Sequence, residues 1–326
     1  MIWVTWRQQR LEALILGVIL ALVGAIVLKS GLDMMGSFQH LGVAACITAP
    51  VDDQRCGDIL SVFHQQFDPL NTIFDGFELL PVALALLLAA PFVLDLEQGL
   101  YRLVWTQSIT RRRWLLVRAG LLCAAALVSS LAGSLLMTWW HGPLDQLSGA
   151  TFSNFSFDTQ GIVPVAYTLF ALALALTVGA LLRRAIPAMA ITVVGFAAVR
   201  AGIEILARPR YLAPIDKVWT TGPLPIGSHD WVLSKGEIYR NGLGRLFSWD
   251  QVDQLCGHPS TASNLSPAAA KDAYVACFNR HGLSEIVRYQ PADRYWLFQG
   301  IESVIFLGLA AALFVLTAWW IRNRLT

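Results

Sequence analysis

The chain has 326 residues, 56% of them hydrophobic and 14% charged, with a net charge of +2 and a mean hydropathy of +0.55. So little charge excludes an ordinary soluble domain of this length, and the near-neutral balance gives no basis for nucleic acid as a partner. The apolar residues fall in long runs without alternation, which excludes a transmembrane barrel and leaves an all-α polytopic membrane protein.

Met1–Glu12 comes first. Trp3, Trp6, Arg7 and Arg10 make it amphipathic, and it is expected to lie as a short interfacial helix on the inner membrane surface. No small-residue cleavage site directly follows the next apolar run, so a removable signal is not expected. About 20 apolar residues cross the hydrocarbon core as a helix. Six runs qualify: Leu11–Leu28, Phe77–Leu94, Leu115–Trp139, Ile162–Leu182, Ala185–Leu206 and Leu297–Ile321. Only Arg183-Arg184 separates the fourth from the fifth, which predicts a tight hairpin. Pro187 suits the first turn of the fifth helix, where a missing N–H costs least.

The arginines orient the bundle. Arg7 and Arg10 precede span one. Arg102, Arg111, Arg112, Arg113 and Arg118 lie around the connection between spans two and three. Arg183 and Arg184 join spans four and five, and Arg322 and Arg324 follow span six. All fall on one side of a six-span model. The opposite short loop, Trp140–Gly161, has Asp145 and Asp158 but no Lys or Arg. The positive-inside rule then places both termini in the cytoplasm of a plasma membrane. Residues 1–206 hold spans one to five, with an outer loop at 29–76 and a cytoplasmic segment at 95–114. Residues 207–296 form an outer segment, and 297–326 hold span six and a cytoplasmic tail.

In the outer segment, Ser266-Pro267 starts a helix over Ala268–His281 that stops at Gly282. The Pro- and Gly-rich Arg208–Gly244 reads as irregular or short-stranded, so the segment is expected to be α/irregular. Cys46 and Cys56 fall in one outer segment, and Cys256 and Cys277 in the other. An oxidising space favours two disulfides. Of the three pairings, Cys46–Cys56 and Cys256–Cys277 are preferred because each closes a local loop. Zinc is the rival reading, since His258 and His281 lie near cysteines, but no C-x-x-C occurs and no metal is expected.

No P-loop, G-x-S-x-G or H-E-x-x-H is present. Ser134 and His141 could be imagined as a hydrolase pair, but ordinary packing and interface polarity explain them better. Arg200 and Glu204 lie four apart on span five and can pair. With Glu78 and Glu302 they would line a translocation path or fix helix packing, the two glutamates reaching toward the outer interface. Trp3, Trp6, Trp139, Trp140, Trp296, Trp319 and Trp320 fall at span ends, as an aromatic belt does.

The stretch between spans two and three, DLEQGLYRLVWTQSITRRRW from Asp95 to Trp114, carries more design than a lipid-pinned loop requires. Asp95 and Glu97 suit a helix start, and Leu100, Leu103 and Val104 share a face. An acidic start, Glu97-Gln98-Gly99, a leucine at Leu103 and a serine turn ending at Arg111 resemble the segment after the second span of ABC type-2 export permeases. Leu100 stands where those permeases usually have threonine, and the usual proline after the serine is missing. MIWVTWRQQR and YQPADRYWLFQGIE resemble a bacterial branch of the same family.

The resemblance implies a permease subunit with no catalytic residue and no bound cofactor, ATP and magnesium being held by a separate ATP-binding-cassette subunit. The permease would pair with a second permease copy, as homodimer or heterodimer, within membrane lipid. Asp95, Glu97, Gly99, Leu100, Leu103 and Arg111 would couple to the ATPase. A hydrophobic or amphipathic substrate such as a drug, lipid or peptide antibiotic would move outward. The alternatives are a membrane sensor with an outer ligand-binding segment and an ion-coupled carrier, which would need titratable groups at mid-membrane.

Overall fold

A computed structural model describes residues 2–47, 54–99, 111–148, 152, 154–219, 226–257 and 267–324. Among these, six helices are long and apolar enough to cross a membrane: Leu20–His40, Gly76–Glu97, Leu116–Leu147, Val163–Leu182, Ala185–Arg210 and Ala292–Asn323. They overlap the six predicted runs. The chain divides into two units. Unit 1 comprises Met1–Leu147, Ser153–Arg208 and Trp296–Thr326; unit 2 comprises Ser148–Phe152 and Pro209–Tyr295.

Unit 1 opens with α1 (Ile2–His40), one unbroken helix of 39 residues. At 1.5 Å per residue it is about 58 Å long, nearly twice the hydrocarbon thickness. This corrects the expected separate interfacial helix: residues 2–12 are the first turns of α1, because no glycine or proline interrupts the chain before Gly17. The segment 29–76, expected as a loop, is also largely helical. After α1 come α2 (Val43–Cys46) and α3 (Gln54–Phe74), joined by the Cys46–Cys56 disulfide.

A 3-10 turn (Asp75–Leu79) leads into α4 (Leu80–Glu97). The helices α5 (Arg111–Ser148), α6 (Asn154–Thr159), α7 (Val163–Leu182) and α8 (Ala185–Gly202) follow. A π turn (Ile203–Ala207) and a 3-10 turn (Arg208–Arg210) extend α8. Val27, Met34 and Phe38 of α1, Phe63 and Phe67 of α3, and Met137 and Trp140 of α5 share one buried cluster. The Trp140 indole N–H donates to Ser30 Oγ at 3.0 Å. Gly31 lies under the adjacent rings, where a Cβ would come within 2.5 Å of Trp139. Trp140 is therefore core and not belt, while Trp296 and Trp319 are exposed as belt residues should be.

The most buried span is α7, with α4 packed along it. Val93 rests on Gly179, and a Cβ at Gly179 would approach it to 2.5 Å. Arg183 ends α7 in the left-handed conformation (φ 53°), and α8 starts two residues later, so the tight hairpin is present.

Unit 2 is α/β, taking the short-stranded reading in place of the α/irregular one. Its strands are β1 (Ile215–Trp219), β2 (Trp231–Ser234), β3 (Ile238–Arg240), β4 (Leu246–Ser248) and β5 (Ser284–Gln290). All pairings are antiparallel. The central strand β5 has β1 on one edge, β2 and β3 in succession on the other, and β4 outside β3. Glu285, Val287 and Tyr289 of β5 alternate inward, as a half-buried strand requires. Helices α9 (Trp249–Cys256) and α10 (Pro267–His281) are joined by the Cys256–Cys277 disulfide, so both preferred pairings occur. Tyr239, Val252 and Leu283 form the small core with Phe247, Tyr274 and Phe278. From Trp296 the chain is again part of unit 1, within α11 (Tyr295–Arg324).

Candidate functional site

Two polar sites mark opposite ends of unit 1. Glu78 lies in the 3-10 turn just before α4 and Glu97 at its end, about 28 Å apart at a helical rise, close to the thickness of a hydrocarbon core.

At the first end, α4 stops at Glu97. Gln98 donates back to Leu94 O at 2.9 Å, and Gly99 takes φ 72°, a left-handed turn that costs glycine little. The E-x-G pattern is thus a helix stop. The start of α8 has an unmet need: Arg184 precedes it and offers no side-chain cap. Glu97 supplies one from another helix, its Oε2 accepting from Ala185 N at 2.8 Å. Asp95 pairs with Arg118, a buried arginine on α5 whose guanidinium also lies 5.7 Å from the Phe92 ring centre. Asp95 and Glu97 thus stand in the last turn of α4, which corrects the expected helix start, and they tie that end to α5 and to the α7–α8 turn. Leu100 and Leu103 lie outside the described residues, as does the side chain of Arg111.

At the other end, six polar residues from five places in the chain converge. Arg208, 2% exposed, donates from Nη2 to Asp158 Oδ1 at 2.6 Å and to Glu302 Oε1 at 2.8 Å, and from Nε to Glu302 Oε2 at 2.9 Å. Arg200 Nη2 reaches Asp158 Oδ2 at 2.6 Å and Glu78 Oε2 at 2.9 Å. The Tyr167 hydroxyl lies between Asp158 and Glu302. Phe157 and Tyr167 present ring faces to Arg208 and Arg200, with centroids 4.3 and 5.7 Å from the guanidinium carbons. Arg200, expected to pair with Glu204, is directed to Glu78 and Asp158. Glu204 sits half-buried beside the group, in electrostatic contact with both arginines. Glu302 does not reach toward the interface: it is fully buried.

Gln299 stands one turn before Glu302 on α11. Its Oε1 accepts from Ile162 N and Val163 N, both at 3.0 Å, and its Nε2 donates to Phe157 O at 2.8 Å. It thus caps α7 and holds α6, placing Asp158 and Tyr167. The π turn at Ile203–Ala207 widens α8 just before Arg208.

Such a cluster balances buried charge and joins the α3–α4 turn, α6, α7, α8 and α11. It contains no nucleophile–base pair. Ser134 and His141 are likewise apart in function: Ser134 donates to Gly161 O, and the His141 ring lies between Trp140 and Phe155. Sequence reasoning found Glu78, Arg200 and Glu302 but missed the roles of Asp158, Tyr167, Arg208 and Gln299. The available signal was a lone tyrosine in an apolar run and a Q-x-x-E spacing at the start of the last span.

No curated protein and no solved structure matches the chain. A family model described as ABC-2 membrane transporter related matches residues 17–208, ending at the residue where unit 1 gives way to unit 2. That match covers more than half of the chain, and it agrees with six helices long and apolar enough to cross a membrane. The chain belongs to the ABC-2 membrane transporter related family: it is a multi-pass permease component of an ABC transporter, whose ATPase is a separate subunit.

Proposed function

We propose that this permease exports a hydrophobic or amphipathic substrate, using ATP hydrolysed by its partner, with both termini in the cytoplasm of a bacterial plasma membrane and a second permease copy completing the pathway. The segment 95–114 receives the ATPase. The observation that carries this reading is the double anchorage of its first residues, Asp95 on Arg118 and Glu97 on Ala185 N. A displacement of the segment would be passed to α5 and to the α7–α8 turn together. Asp95 and Glu97 are then positioning residues, and Leu100, Leu103 and Arg111 supply the contact with the ATPase. The buried cluster around Arg208 keeps the opposite end of the bundle closed, and outward opening would part α8 from α11. An ion-coupled carrier is less well supported, because the buried carboxylates described lie at one end of the bundle and face arginines.

The test is affinity purification from the native host in mild detergent, followed by ATP-dependent uptake into inverted vesicles. A stoichiometric P-loop protein should accompany the wild type and be lost from Leu103→Asp. Purification without any ATPase, or transport that ignores ATP and follows the proton gradient, would overturn the reading.

A further inference from the structure

We propose that the β3–β4 hairpin of unit 2 is a lipid-contacting finger that seats an apolar tip among anionic headgroups. The tip is Asn241-Gly242-Leu243-Gly244. Leu243 at its apex is 94% exposed, and Leu246 just beyond it is 59% exposed. A single exposed leucine is ordinary on any protein surface. Three further features separate this tip from a chance exposure.

The first is rigidity. Asn241 Oδ1 accepts from Leu243 N at 3.1 Å and from Arg245 N at 2.9 Å, Asn241 N donates to Arg245 O at 3.0 Å, and Gly244 N donates to Asn241 O at 2.9 Å. Gly244 has φ 81°, which closes the loop in a conformation other residues resist. The loop backbone is held in this conformation, with Leu243 exposed at its apex.

The second is charge. Arg240 at the end of β3 and Arg245 just before β4 flank the loop, both exposed, with the Arg245 guanidinium 5.4 Å from the Phe247 ring centre. The end of α10 adds exposed Arg280 and His281. That end abuts the tip: a Cβ on Gly282 would lie 3.6 Å from Gly242 N, and Arg240 is in register with Ser284. Neither 240–246 nor 279–283 contains an acidic residue. An apolar apex with a basic collar matches the two layers of an anionic lipid surface, hydrocarbon below and phosphate above.

The third is tethering. Unit 2 is joined at both ends to helices long and apolar enough to cross a membrane, α8 with its extension to Arg210 and α11. The covalent connection keeps unit 2 near a lipid surface, which raises its effective concentration, whereas a soluble partner must be found by diffusion.

The experiment uses the full chain in nanodiscs. Leu243→Cys is made in a Cys123→Ala background, and an environment-sensitive fluorophore is attached after the label stoichiometry and the two native disulfides are verified. Discs of phosphatidylcholine alone are compared with discs containing phosphatidylglycerol. The expected result is a blue-shifted emission in the anionic discs, quenched several-fold more by a headgroup-proximal spin-labelled lipid than in neutral discs. Arg240→Gln with Arg245→Gln, or high salt, should remove the difference. Water-like emission quenched equally by iodide in both discs would overturn the proposal. A blue shift insensitive to the lipid-borne quencher would also overturn it, because protein would then cover the tip. Equal lipid quenching in both discs would refute the requirement for anionic headgroups.

Discussion

Arg208 is the residue on which most of the buried charge in unit 1 depends. Removing one member of a buried ion pair costs roughly 3–5 kcal/mol, because the partner stays buried without compensation. Arg208→Met is therefore expected to lower the thermal midpoint of the purified permease sharply, as read by intrinsic fluorescence in lipid discs. Arg208→Met combined with Asp158→Asn and Glu302→Gln should recover much of the loss, since the burial of unpaired charge is then relieved. A triple variant no more stable than the single one would show that shape and not charge balance matters at this site. Glu97 poses a smaller and more selective question. Glu97→Gln keeps an acceptor for Ala185 N, while Glu97→Ala leaves that donor without its cap, worth about 1 kcal/mol. Under the proposed coupling, ATP-driven transport should survive in the first and fall in the second while both insert normally. Equal transport by the two would remove Glu97 from the coupling path.

Among elements, the helix contacts and the sheet respond to different perturbations. Gly31→Leu should separate α1 from α5, because the new side chain needs the space of Trp139 and Trp140; the measurable consequence is exposure of Trp140 to an aqueous quencher. In unit 2, replacing Cys256 and Cys277 by serine releases a loop with a sequence separation of 21. The expected cost is roughly 3 kcal/mol, seen as protease cleavage near α10 with unit 1 intact. The sheet also has a defined pH response. The Arg288 hydrogen bond holds Asp216 below the ordinary carboxylate range, so its modest contribution is present at neutral pH and lost as pH falls through that lowered value. Glu285 behaves oppositely. Burial pushes its carboxyl up, and Oε1 has no hydrogen-bond partner among the described residues. The folded state then binds its proton more tightly than the unfolded state, so stability falls as pH rises from the ordinary value through the raised one. Glu285→Gln should remove that decline and raise the neutral-pH melting point of unit 2; an unchanged pH profile would assign the decline elsewhere.

For the molecule as a whole, the membrane class, the six spans, the hairpin at Arg183-Arg184 and both disulfides were legible in the sequence because each rests on local composition or spacing. Extents were less legible. The apolar run that ends at Leu28 does not fix where α1 stops: the helix continues through Lys29 to His40, and its later turns place Met34 and Phe38 in the cluster shared with α3 and α5. The charge cluster was only half readable. Arg200 and Glu204 satisfied a local i,i+4 rule, but tertiary geometry brought Asp158 and Glu78 to the same guanidinium at a sequence separation of 42 and 122. Arg208 lay just past the last apolar residue of its run, where an arginine is expected to face water.

The grip of Glu302 on Arg208 joins the last residue before the long insertion to the first turns of the helix after it. The ends of the insertion are thus held within the reach of two side chains by the bundle itself. A gene encoding such a bundle can gain, lose or exchange what lies between Pro209 and Tyr295 without redesigning the spans, which makes the segment a natural point of divergence among related permeases. A version carrying a short glycine–serine bridge in its place should still insert and assemble, with Phe152 losing its stacking partner Trp231 as the local scar of the excision.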